Sequence, residues 1–211
     1  MNVMLGMGSR EAERTSDGLL RGLALGVVVN NKDPNNLGRV EVQLDNHADG
    51  QKTFWAPVLT PMAGPSRGFF ALPDEQDKVA VAFVDNNPSK PVVLGGLWDA
   101  SHTPPDNNAD EKNDRRLWRS RAEHELRFDD GDKNEIELTM KNGSRVYLAE
   151  NKAILEDGKG NKVEIDGGNV TIEAQSKITL KAAQVVIDAS GTAEIKAGAT
   201  CKVRGAMVEI N

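Results

Sequence analysis

Histidine, cysteine and paired carboxylates are the side chains best suited to catalysis or metal binding, and here they are dispersed. The three histidines, His47, His102 and His124, lie far apart in or near loop-forming stretches. No His-x-His or Cys-x-x-Cys spacing occurs, so no metal site within one chain is expected. Cys201 is the single cysteine, which excludes an intrachain disulfide and gives no sign of an oxidising compartment. Carboxylates are plentiful, so counting alone does not exclude a glycosidase pair. Acid–base work needs one carboxyl in an apolar pocket, whereas these alternate with apolar residues or sit in turns, as solvating charge does. Arg115, Arg116, Arg119 and Arg121 surround Trp118, a basic patch with a stacking ring, but Asp110, Glu111, Asp114 and Glu123 dilute it. The net charge of -6 also speaks against a nucleic-acid partner. The residues thus predict no enzyme, and no cofactor.

The elements that position side chains are more informative. From Asn161 to Asn211 the chain repeats a short apolar–x–apolar unit. Its pairs are Val163/Ile165, Val170/Ile172, Ile178/Leu180, Val185/Ile187, Ala193/Ile195, Cys201/Val203 and Val208/Ile210. The second members are spaced 7, 8, 7, 8, 8 and 7 residues apart. Alternation at period two signals strands, the intervening Gly, Asn, Asp and Ser are turn formers, and a fixed period marks a repeat architecture. A unit this short supplies too few inward side chains for a core of its own. Three chains wound about one axis would complete it as a triangular prism. With strands stacked about 4.8 Å apart, seven repeats would make a rod of roughly 34 Å. The expected trimer core is Val163, Ile165, Val170, Ile172, Ile178, Leu180, Val185, Ile187, Ile195, Cys201 and Val203. An antiparallel meander is the plainer alternative, which the regular spacing and near absence of aromatics disfavour. Three Cys201 thiols near the axis would be a possible metal site, but a small buried hydrophobe is the simpler role.

The preceding chain divides by composition. Residues 1–18 are a polar arm of mixed charge; they lack the continuous apolar stretch of a signal peptide. No apolar run approaches the ~20 residues that span a bilayer. Residues 19–99 read as a small all-β domain with strands expected at Gly22–Asn30, Gly38–Leu44, Phe54–Leu59, Gly68–Leu72, Lys78–Phe83 and Val92–Trp98. Val40, Val42 and Leu44 alternate with Arg39, Glu41 and Gln43, so that strand is half buried. Asp33-Pro34-Asn35-Asn36 predicts a turn. Short strands at this density suggest a closed barrel of the OB type, with a Greek-key sandwich as the alternative. Residues 100–125 read as a linker and surface strap, and 126–211 as the rod. Lys141-Asn142-Gly143-Ser144 predicts a hairpin between Ile136–Met140 and Arg145–Leu148.

The order and spacing of Gly26-Val27-Val28, Gly38-Arg39-Val40, Trp55-Ala56, Ala63-Gly64, Gly68, Leu72-Pro73, Asp77 and Pro91-Val92-Val93-Leu94-Gly95 resemble the OB-fold domain of the VgrG and phage baseplate-assembly V spike family. The stretch ELRFDDGDKNEIEL, Glu125–Leu138, resembles the junction of that domain with the family's β-helix. The resemblance implies an N-terminal OB barrel followed by an intertwined trimeric triangular β-helix. It also implies a structural role as the central puncturing spike of a contractile injection machine. Such a homotrimer would be made in the cytoplasm, join a phage tail-like particle or secretion apparatus, dock on a trimeric hub, carry a PAAR-repeat tip protein and meet the target-cell membrane on firing. The family's large hub domain has no counterpart in these residues, which implies a separate hub. Some phage spikes bind iron near the tip through His-x-His, a motif this sequence lacks; an ion on the threefold axis is left open. The final strand, Ala206, Met207, Val208, Glu209, Ile210 and Asn211, lacks a polar cap and would form the tip-docking platform. Two other classes stand beside this reading. One is an OB module for oligosaccharide or single-stranded nucleic acid on a trimerisation stalk; the other is a cell-wall hydrolase.

Overall fold

The computed structural model describes residues 22–45 and 52–210. The expected arm 1–18, His47 and Asn211 fall outside the described residues. Among the described residues strands dominate, with one 3-10 turn at Val84–Asn86, and the chain divides into two units between Ala109 and Asp110.

The first unit contains β1 (Leu23–Asn30), β2 (Arg39–Leu44), β3 (Thr53–Pro57), the short pair β4 (Ala63–Gly64) and β5 (Arg67–Gly68), β6 (Lys78–Phe83) and β7 (Pro91–Gly96). Five of them form a sheet in the order β3-β2-β1-β6-β7. Val58, just after β3, bridges Val93 of β7 in parallel, and the Leu59 amide donates to the Val93 carbonyl at 2.8 Å. That contact brings the last strand back to the third and curls the sheet toward closure, as OB barrels do. Valine dominates the core: Val28, Val40, Val42, Val79, Val81 and Val93 are all fully buried, joined by Leu44, Ala56 and Phe83. β-Branched side chains suit the pleated surface, and each contributes about 1.5–3 kcal/mol when buried. Phe54 and Phe83 add an edge-to-face pair with centroids 6.1 Å apart.

Glycine at position 26 is a packing requirement. A Cβ there would lie 2.6 Å from the Gln43 carbonyl oxygen and 2.8 Å from Val42 Cγ1, so β1 and β2 approach closely only without a side chain. The β1–β2 turn is organised by Asp33. Its carboxylate accepts the amides of Asn35 and Leu37, both at 2.9 Å, and Arg39 Nε and Nη2 at 3.0 and 2.8 Å. The Arg39 hydrogen bonds hold the Asp33 carboxyl well below the usual carboxylate range, against the opposing effect of desolvation. The Arg39 guanidinium lies 5.8 Å from the Trp55 ring centroid. The strand expected over Gly68–Leu72 is not formed as such. Only Gly68 lies in a strand, because the chain folds back locally: the Phe69 amide donates to the Met62 carbonyl and Thr60 Oγ1 to the Phe69 carbonyl.

The second unit is a seven-stranded antiparallel meander of β8 (Arg115–Arg119), β9 (Glu125–Asp129), β10 (Glu135–Thr139), β11 (Ser144–Ala149), β12 (Lys152–Asp157), β13 (Lys162–Asp166) and β14 (Asn169–Glu173). Two features differ from the sequence expectation. Arg115–Arg119, placed there in a strap, is the edge strand β8, pairing Trp118 with Leu126. Residues 162–173, read as the first prism repeats, form an antiparallel hairpin that pairs Val163 with Ile172 and Ile165 with Val170. Gly167 and Gly168, with φ of 54° and 89°, supply the two positive-φ positions of its turn. From residue 174 to 210 the chain forms no strand ladder with itself.

Candidate interaction surface

Register sorts the meander's side chains onto two faces of opposite chemistry. On one face, Trp118 pairs with Leu126, Leu126 with Leu138, Leu138 with Val146, Val146 with Leu155, Leu155 with Val163, and Val163 with Ile172. This column crosses all seven strands without a polar residue. Beside it runs Arg116–Phe128–Ile136–Leu148–Ala153–Ile165–Val170, apolar from its second member on. The side chains are solvent-exposed in the single chain: Leu138 by 49%, Leu155 by 57% and Val170 by 67%.

The other face carries a lattice of ion pairs, most of them between neighbouring strands and one, Lys162–Glu164, within β13. Arg127 binds Glu135 at 2.9 Å and also pairs with Glu137. Arg145 pairs with Glu156 and, at 3.4 Å, with Glu137, and its guanidinium lies 5.4 Å from the Tyr147 ring centroid. Lys152 reaches Glu164 at 2.6 Å and Asp166 at 2.9 Å, while Lys162 reaches Glu164 at 2.7 Å. Hydrogen bonds from Lys152 and then Lys162 hold the Glu164 carboxyl down to about 2. The charged face therefore pairs its charges within one chain, although Arg127 Nε is buried without a hydrogen-bond partner, and the apolar face does not meet its need for burial.

The expected core residues divide at β14. Val163 and Ile165 lie on β13 and Val170 and Ile172 on β14, all on the apolar face. Ile178, Leu180, Val185, Ile187, Ile195, Cys201 and Val203 follow, exposed and outside any ladder. Of the expected tip platform, Ala206, Met207, Val208, Glu209 and Ile210 are exposed, Ile210 by 91%. The sequence places Trp118 in a surface strap that packs onto the barrel or a sister chain, and it does not assign Leu126 or Phe128 to this surface. The alternation in Glu125-Leu126-Arg127-Phe128-Asp129 was the signal available.

One constellation has the composition of a hydrolytic site. Ser101 Oγ lies 3.2 Å from His102 Nδ1, and Asp99 Oδ1 lies 3.5 Å from the same nitrogen. A triad needs the acid on one ring nitrogen and the nucleophile on the other, so this arrangement is not a relay. Ser101 Oγ instead donates to Asp99 at 2.6 Å, and Lys78 Nζ pairs with Asp99 at 2.9 Å, which closes the turn after β7. Among the described residues no group of three or more His, Cys, Asp or Glu is arranged to hold a metal. No helix among them is long and apolar enough to cross a membrane.

The curled five-stranded sheet with its valine core defines an OB-type domain. Residues 24–98 match the family of type VI secretion system/phage-baseplate injector OB domains. Over these residues the chain is similar to the OB domain of VgrG and phage baseplate spike proteins. It is similar to the actin cross-linking toxin VgrG1 of Vibrio cholerae serotype O1, with 33% identity over 72 residues, covering 32% of this chain and 7% of that protein. The chain thus spans only a small part of that relative's length.

Proposed function

We propose that the chain is the central spike of a contractile injection machine, acting mechanically rather than as an enzyme. Three copies form the rod; the barrel end docks on a trimeric hub, and Ala206–Ile210 with Asn211 carries a PAAR-type tip protein that meets the target membrane. The observation that carries this reading is an injector-type OB domain followed by a chain whose apolar repeats find no burial within one copy. Ladder hydrogen bonds between intertwined chains, each worth about 1 kcal/mol net, would have to break together before the rod yields to an axial load. The rod region would be an intertwined β-helix beyond residue 174, with Cys201 packed inside it as a small hydrophobe. The activity named for VgrG1 is not carried over, because the shared stretch is 7% of that protein.

Light scattering on the full chain tests the reading. A solution mass of three copies is expected, together with co-elution of a cognate PAAR protein. A folded monomer overturns the spike, and a trimer that ignores its PAAR protein overturns the tip platform.

A further inference from the structure

We propose that the cleft on the barrel between the β1–β2 turn and the β4–β5 ribbon takes up a short extended segment of another protein, one that carries a carboxylate beside large apolar side chains. The cleft holds about 650 Å³, inside the ~300–1,000 Å³ of ligand clefts. Leu37 and Gly38 line it from the turn, and Met62, Arg67, Phe69 and Phe70 from the ribbon and its flanks. The proposal goes beyond the spike reading and holds for any number of copies.

Both walls are set by hydrogen bonds. On one side Asp33 accepts the Leu37 amide at 2.9 Å. On the other, the Phe69 amide donates to the Met62 carbonyl at 3.0 Å and Thr60 Oγ1 to the Phe69 carbonyl at 2.7 Å. Backbone fixed in this way holds the apolar side chains out in water: Leu37 is 68% exposed and Phe70 76%. A Cβ on Gly38 would lie 3.7 Å from Phe70 Cε2, so the two walls meet at that ring. Covering these groups is favourable, and exposed apolar surface gathered in one cleft marks a place where something binds. Charge then names the occupant. In the neighbouring turn Arg39 is gripped by Asp33 through two nitrogens. Arg67 has no such carboxylate among the described residues. Its guanidinium lies over β4, where a Cβ on Gly64 would sit 2.7 Å from Arg67 Nε and 3.3 Å from Nη2. An unanswered cation beside Leu37, Met62, Phe69 and Phe70 matches an anion that is itself attached to apolar groups. A carboxylate meets a guanidinium through two parallel hydrogen bonds. The cleft is open rather than enclosed, which fits an extended chain whose alternate side chains enter while the others stay in water.

The probe is a short end-capped peptide of alternating leucine and aspartate with a central benzoylphenylalanine, photo-cross-linked to the full chain and mapped by mass spectrometry. A counterpart carries lysine in place of aspartate. The aspartate peptide is expected to label Leu37 and the stretch 62–70, and to exceed the lysine peptide by roughly fivefold, the upper end for an exposed ion pair. Arg67→Glu should reverse that order. Gly64→Ala keeps every charge and apolar group but displaces the guanidinium, and should bring the two peptides close to equal. Absent labelling, labelling spread over the barrel, or labelling indifferent to peptide charge overturns the proposal and leaves the spike standing. Labelling that falls as the chain itself is concentrated assigns the cleft to a second copy and overturns the proposal as well.

Discussion

Gly26 and Val42 form a coupled pair whose energetics follow from two distances. Gly26→Ala puts a methyl 2.6 Å from the Gln43 carbonyl oxygen and 2.8 Å from Val42 Cγ1. The oxygen belongs to backbone tied into β2 and cannot retreat without distorting the ladder, so the overpacking should cost about 1–3 kcal/mol. Val42→Ala removes Cγ1 and Cγ2 from a fully buried site, at about 1.6 kcal/mol for two methylene-sized groups and about 2–3 kcal/mol once the cavity is included. In the double variant Cγ1 no longer obstructs the new methyl, but the Gln43 oxygen still does. The combined loss should therefore fall short of the sum by about 0.5–1.5 kcal/mol. Native-state amide exchange on β1 and β2 peptides of the full chain reads this unit separately, with about tenfold faster exchange per 1.4 kcal/mol. A neutral Gly26→Ala would refute the close approach itself. Strict additivity would show that the backbone oxygen, and not Val42, sets the limit.

Acid should loosen the meander through Glu164. Its folded value of about 2 lies below its ordinary 4.5, so its contribution is complete above about pH 4.5 and disappears as pH falls toward 2. Urea midpoints across that window should decline, and Lys152→Gln should flatten the decline; an unchanged slope would remove Lys152 as its cause. At the β1–β2 turn, Asp33→Asn loses the charge that grips Arg39 through two nitrogens. Amides at Leu37 and Arg39 should then exchange faster while those of β6 and β7 do not, and uniform protection would show that the clasp is not what orders the turn. In the proposed shaft, Ile187→Asp should abolish assembly and Lys181→Glu should not; equal tolerance would reverse the assigned faces.

Much of the barrel was readable because its strands alternate cleanly. In Arg39–Leu44, Val40, Val42 and Leu44 all turn inward as the pattern implies. The hairpin at Lys141-Asn142-Gly143-Ser144 formed between β10 and β11 as Asn-Gly indicated, with Gly143 at φ 86°. The direction of pairing after Asn161 was not readable from alternation, because period two fixes which side chains share a face and leaves open which strand lies alongside. Gly167-Gly168 between two alternating runs was the local sign of a return strand. The β8 strand was hidden by its charge. Arg115, Arg116 and Arg119 make it resemble a surface strap, yet charge is what an edge strand carries to deter further pairing. The joining of Trp118, Leu126 and Leu138 into one column depends on register across turns of different length, which no single segment reveals.

The meander's two-faced register also governs how such a chain can change in length. One inserted residue within a strand turns every following side chain of that strand to the opposite face, setting Lys and Glu among Leu and Val. An inserted hairpin, two strands with their turn, adds one member per strand to each apolar column and extends the charge lattice by the same measure, leaving every older contact in place. Growth by whole hairpins is therefore neutral where growth by single residues is ruinous. Each hairpin adds two strand spacings, roughly 10 Å, so homologues of this chain should differ in reach by whole steps of that size.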